Sequence, residues 1–315
     1  MTTPTAPATA SPQLLHQVGA GALDWLAAHR TYFRARTDAD TPGLEIMERF
    51  KPLGELAIIG KVLFREGVAG SQQSVLVRDL LDYAWRELLE GGELLVWAQQ
   101  KEFLSPVSLE LYAPFNELGY HHPRVEENAR LARATASWAA VEMHPNRRLG
   151  MSRVEARAGL APSVDVAEAA RRTWLGRTPE PWSVEYHIAY DITHTVFHLT
   201  DWGEHPEGLP ADMADYLALW LPVWIDDWAD IGHWDLLGEL LVVDACLPRP
   251  ALDARAWERY AAAQTPGGAM PVRGPLPEGD PSDVFDVVYH PTLVAAFASV
   301  MATSRAMSAL TGAPS

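Results

Sequence analysis

Along this chain apolar residues recur at spacings of three and four, and nowhere at a sustained spacing of two. Such a period predicts helices and leaves no convincing alternating strand. Ser11-Pro12 opens a helix in which Leu14, Leu15, Val18, Leu23 and Leu26 keep a rough helical period. Further helices are predicted over 44–65 (bent or broken at Pro52), 74–89, 93–103, 106–118, 124–141, 152–158 and 164–175. Beyond these come 186–203, 210–229, 234–247, 253–264 and 291–310, with a Gly/Pro-rich loop at 265–281 that is either a lid or mobile. About a dozen helices joined by short Gly/Pro turns make an all-α protein. The expected architecture is an α/α toroid of helical hairpins, or else an open α-solenoid. Residues 1–10 read as a disordered tail and 11–315 as a single helical domain.

The segment 186–203, YHIAYDITHTVFHLTDWG, carries the strongest chemical signal. At 100° per residue His187, Asp191, His194, His198 and Asp201 fall on one narrow stripe, opposite Ile188, Ala189, Ile192, Val196, Phe197 and Leu199. Ser183 is placed to cap the start and Gly203 to close the end, giving roughly five turns. A solvated helix face is ordinarily built from Lys, Glu, Arg and Gln. This one has three imidazoles and two short carboxylates, flanked by threonines with poor helix propensity. The stripe is therefore expected to face an interior cavity, the alternative being polar groups satisfied for structural reasons.

Composition narrows the partners. The 315 residues carry 25 Lys and Arg against 41 Asp and Glu, a formal charge of −16, so a nucleic acid is repelled over most of the surface. No apolar run approaches the ~20 residues of a membrane span. The N-terminal Thr/Pro/Ala stretch has no secretory signature. The single Cys246 permits no intrachain disulfide and suits a reducing cytoplasm. With 48% hydrophobic residues and 12 tryptophans, material for a core is ample.

Two chemistries are open to the stripe. His194 and His198 stand at i, i+4, and with Asp191 they form a two-His, one-carboxylate set that zinc or iron could use. Without a metal, Asp191 or Asp201 could orient His194 or His198 as a general acid/base near neutral pH. His290 and Tyr289, placed at a helix start by Pro291 at N1, would be a second proton carrier. Asp226, Asp227 and Asp230 match the DDxxD pattern that holds magnesium diphosphate in terpene synthases. Their phase, opposite Trp220, Trp224 and Trp228, places them on a solvated acidic face. Asp235 and Glu239 share a helix face, and near the helix N-terminus Asp235 reads as an offset to the macrodipole. His121-His122 and Asn146-Arg147-Arg148 read as turn and surface residues, with a carboxylate or phosphate clamp as the alternative for the arginines.

The stretches LYAPFNELGY (111–120), PNRRLGM (145–151), RTWLGRTPEPW (172–182), YDITHTVFHLTDWG (190–203), DLLGELLVVDACLP (235–248) and YHPTLVAAF (289–297) together resemble an actinobacterial family classed as a domain of unknown function. The resemblance implies an all-helical protein, often encoded near natural-product biosynthesis genes, and brings no established activity. At fold level it is similar to the α/α toroids of terpene and lanthionine cyclases, though a chain with one Cys cannot supply the zinc ligands of the latter. The expectation is a cytoplasmic enzyme of specialised metabolism. It would isomerise, cyclise or eliminate a small, partly apolar or peptide substrate in a His/Asp-lined pocket. The rivals are a non-catalytic helical-repeat module that binds a peptide or protein, and a terpene-cyclase-like enzyme using the aspartate-rich motif.

Overall fold

A computed structural model describes residues 8–36, 45–67 and 71–311 of the chain. Residues 1–7 of the N-terminal tail, and residue 44 of the second predicted helix, lie outside those described residues. Within them the protein is helical and contains no strand, only an isolated bridge between Thr9 and Asp253. The helices are α1 (Pro12–Ala28), α2 (Ile46–Glu66), α3 (Gln72–Tyr83), α4 (Glu93–Lys101), α5 (Val107–Glu117), α6 (Pro123–Arg133) and α7 (Ala136–Ala140). They continue with α8 (Pro145–Arg157), α9 (Val166–Arg172), α10 (Tyr186–Leu199), α11 (Ala211–Ile231), α12 (Trp234–Cys246), α13 (Ala254–Ala263) and α14 (Pro281–Thr311). The all-α class expected from the sequence is what the structure has.

Boundaries differ where capping residues override the hydrophobic period. The helix predicted over 124–141 is split into α6 and α7, because the Thr135 hydroxyl accepts from the Trp138 amide at 3.2 Å and starts a new helix. The one predicted over 74–89 begins earlier, on a Ser71 cap, and ends in a π turn at Ala84–Leu88. Proline does not stop α14. The helix begins at Pro281 and runs through Pro291, so Tyr289 and His290 lie inside it and not at its start. Thr292 steadies that turn, donating to the Val288 carbonyl at 2.7 Å and accepting from the Met270 amide at 3.0 Å.

The chain divides into two compact units, Met1–Ala28 with Thr178–Ser315 and His29–Arg177. At the centre of the first stands α12, buried from Asp235 to Cys246 without interruption. It packs against α10, α11, α13 and α14. A helix that is apolar all round has no solvated face to offer, so every polar side chain on it must find a partner inside. α1 lies along α14. There Gly19 is required, since a Cβ at that position would come 2.3 Å from the Ser299 hydroxyl, which donates to the Leu15 carbonyl at 2.5 Å. The segment Ala8–Ala10 is tied to the turn before α13: Ala254 donates to Ala8 and Ala10 to Leu252, both at 2.8 Å. α14 is the one described helix long and apolar enough to cross a membrane, which exceeds what the sequence reading allowed. Yet 72% of its most apolar window is buried inside the protein, as befits a core helix.

The second unit has its own core. Trp138 and Met151 pack with Ala132, and the ring of Trp85 meets Phe115 and Tyr120. Glu155, fully buried, accepts from the Trp138 indole at 2.8 Å and the Ser163 amide at 2.6 Å, with Arg133 Nε at 3.2 Å.

Candidate functional site

The predicted stripe does not survive as one edge. α10 spans fourteen residues, about four turns, and starts at Glu185 without a side-chain cap. Ser183 belongs to the preceding 3₁₀ turn. The helix ends at Leu199, after which Asp201, Trp202 and Gly203 all take positive φ (49°, 57° and 82°). Asp201 is therefore off the helix. The sequence did not reveal this because two of the three residues in that left-handed turn are non-glycine. Only Gly203 is forced: a Cβ there would meet Met301 Cε at 2.2 Å. Of the others, His187 is exposed, whereas Asp191, His194 and His198 are half-buried. The rings of His194 and His198 lie 6.4 Å apart. Among the described residues no group of three or more His, Cys, Asp or Glu is placed to hold a metal ion, so the His194, His198 and Asp191 set is not assembled as a ligand trio.

What α10 presents to α12 is its flank. The Tyr190 hydroxyl donates to Asp235 Oδ2 and the Thr193 hydroxyl to Glu239 Oε2. From α14, His290 Nε2 lies 3.4 Å from Glu239 Oε1 and 3.5 Å from Asp235 Oδ1, a single ring nitrogen facing both carboxylates. His194 Nδ1 donates to the Tyr190 carbonyl at 2.8 Å. Its tautomer is thus fixed by main chain, not by Asp191 or Asp201 as expected, which leaves Nε2 as the nitrogen able to exchange a proton. His233 caps α12 by accepting from the Leu236 amide at 3.3 Å, and Tyr186 packs over its ring. The loop after α13 is partly fastened across this end of α12. The Asp235 amide donates to the Val272 carbonyl at 3.2 Å, and Ala269 and Met270 are buried.

Burial and neighbours drive the two carboxyls apart. Asp235, 5% exposed, is raised by desolvation, which the pull of His290 and the Tyr190 hydrogen bond do not overcome and which Glu239 reinforces. Glu239, 2% exposed, is also opposed by burial. Attraction from His194 and His290, with hydrogen bonds from His290 and Thr193, outweighs that burial and holds it below the ordinary carboxylate range. Tyr190 and Tyr260 are pushed up, first by burial and then by these carboxylates, and stay neutral donors. The Tyr260 hydroxyl is wholly buried, has no hydrogen-bond partner, and lies where a Cβ on Gly238 would come within 2.3 Å. Paired titratable groups with diverging proton affinities are what acid/base chemistry uses. His290, with its side chain 26% exposed, gives this cluster a way out to solvent.

The sequence pointed to His290 and His194 and placed Asp235 and Glu239 on one face, with a macrodipole offset as the plain reading of Asp235. Tyr190, Thr193, His233 and Tyr260 were missed. The available signal was DLLGELLVVDAC itself, two carboxylates one turn apart on a helix with no polar face. Tyr289 is buried, stacks on Phe285 and meets the His290 ring edge-on at 6.5 Å. Asp226, Asp227 and Asp230 are exposed, as their phase implied, with Arg259 bridging Asp226 at 3.9 Å and Asp230 at 2.7 Å. Arg147 pairs with Glu110 at 2.5 Å, and Gln264 donates to the Val18 and Gly268 carbonyls, both structural uses.

No curated protein and no solved structure matches this chain. A family model described as a domain of unknown function (DUF6895) matches residues 19–300, and the chain belongs to that family.

Proposed function

We propose that the protein is an enzyme that moves protons on a small, partly apolar or peptide substrate, in isomerisation, cyclisation or elimination. The natural-product setting that the sequence resemblance implies belongs to this reading. His290 is the acid/base group that meets the substrate. Glu239, kept ionised, stabilises the imidazolium formed when His290 takes up a proton. Asp235, kept protonated more readily, is the second store, faced directly by His290 Nε2 at 3.5 Å. His194, with Nε2 exchangeable, is a second carrier on the opposite helix. The observation that carries the reading is one half-buried imidazole nitrogen within 3.5 Å of two buried carboxylates whose proton affinities are shifted in opposite directions.

The test is untargeted. Purified protein and its His290→Asn variant are incubated in D₂O with a small-molecule extract of the source organism, and the mixtures are compared by mass spectrometry. The expected outcome is a set of ions consumed, formed or deuterated with the wild type and slowed by about 10²–10⁴-fold in the variant, the range for loss of a general acid/base. Identical profiles from the two proteins would overturn the proposal and leave the helical-repeat binding module.

A further inference from the structure

The second unit contains a cavity of about 430 Å³ between α5, α6 and the end of α8, a size that suits a small organic ligand. One wall is apolar, built from Leu109, Ala113 and Ala129. Ala158, Gly159 and Leu160 line it too, and the remaining side chains are polar and already ordered. Glu126 accepts from the buried Tyr112 hydroxyl at 2.7 Å, and that hydroxyl accepts from the His122 amide at 2.8 Å, so the carboxylate is held in place. Burial raises Tyr112 to about 12, which keeps it a donor. His121 Nδ1 lies 2.6 Å from Asn116 Oδ1, where it can only donate. Two guanidiniums, Arg130 and Arg157, also line the space. The Arg157 side chain is 8% exposed, with Nε 3.4 Å from Glu117, which in turn takes Lys61 at 2.6 Å.

Two guanidiniums, Arg130 and Arg157, thus line the space with one carboxylate, Glu126, in a protein whose net charge is −16. Two guanidiniums lining one cavity favour an anion, and the planar fork of Arg favours a carboxylate. The fixed Glu126 carboxylate asks for a donor on the same ligand. We infer that this cavity binds a small amino- or hydroxy-carboxylate, its acid group on Arg130 and Arg157, its amine or hydroxyl on Glu126, and its side chain against the apolar wall. The site lies in the other unit from the proton-transfer cluster and stands or falls without it.

Binding is measured on the full chain by thermal shift and then calorimetry. The panel holds the proteinogenic amino acids, their 2-hydroxy analogues, plain carboxylates of matching length and inorganic phosphate, each up to about 10 mM, which reaches weak millimolar affinities. At least one amino or hydroxy acid should raise the melting temperature and bind more tightly than its plain carboxylate. Arg130→Gln, on an exposed position that leaves folding intact, should weaken it about tenfold, the loss of roughly one charge-assisted hydrogen bond. Glu126→Gln should erase the preference over the plain acid. No shift from any member, equal binding of phosphate or plain carboxylates, or an Arg130→Gln protein that binds as the wild type does would each overturn the inference.

Discussion

Each unit buries a glutamate almost completely, and the two are held in opposite ways. Glu155 in the second unit is met by an indole N–H, a main-chain amide and a guanidinium. None of those donors changes its protonation near neutral pH. Glu239 in the first is met by a threonine hydroxyl and an imidazole, with another imidazole near by, and an imidazole ring can take up or give a proton where an indole, an amide or a guanidinium does not. Burial alone therefore says little about purpose. A buried carboxylate with permanent donors is a fastener for the fold; one whose partners can gain or lose protons is a place where charge can be shifted. Asp244, at the other end of α12 from Asp235, makes the point within one helix. Its oxygens take the Ala251 and Leu252 amides at 2.9 and 2.8 Å and hold Leu252 at φ 47°.

The largest effect should come from breaking the permanent set. Glu155→Ala takes the acceptor from the buried Trp138 indole and the Ser163 amide and one partner from Arg133, and urea denaturation should report a loss of about 3–5 kcal/mol, as for two donors left unsatisfied. Glu239→Gln keeps the shape and an acceptor for Thr193, so its stability cost at neutral pH should be smaller, about 1–3 kcal/mol. If the two losses turn out equal, the distinction between the glutamates collapses.

The pH dependence sharpens the contrast. Because the folded state holds Glu239 below its ordinary value of 4.5, its contribution is present above that value and disappears as pH falls through the lowered one. Asp235 runs the other way. Raised above 3.8, it favours the folded state most at low pH, and that advantage fades as pH rises through its elevated value. Stability measured from pH 3 to 7 should thus show Glu239→Gln closest to wild type in acid, and Asp235→Asn gaining on wild type as the pH climbs. Parallel curves would mean that the two carboxyls are not driven apart. At the small end, Asp230→Asn should change stability by about 0.5 kcal/mol or less, since its partner Arg259 meets it at the surface.

The helical class was legible because every long apolar segment keeps one period, and the outward phase of Asp226 followed from the tryptophans opposite. The site was legible only in part. His290 drew notice, but Pro291 suggested a helix start, and only packing against α1 and α12 shows the helix running through it. Asp235 and Glu239 could be seen to share a face. That they have no solvent to look at depends on four other helices closing round α12, which no local pattern encodes. Asp201 was misplaced because nothing in TDWG announces two consecutive left-handed non-glycine residues.

Because the first unit is assembled from both ends of the sequence, its order of synthesis matters. α1 is made before the 149 residues of the second unit, His29–Arg177, and the helix it lies along is made after them. The nascent chain must therefore carry α1 without that partner until α14 has been made, which is the regime where slow, long-range closure invites chaperones. His290 arrives on that same helix, so Asp235 and Glu239 gain their shared imidazole only once α14 docks.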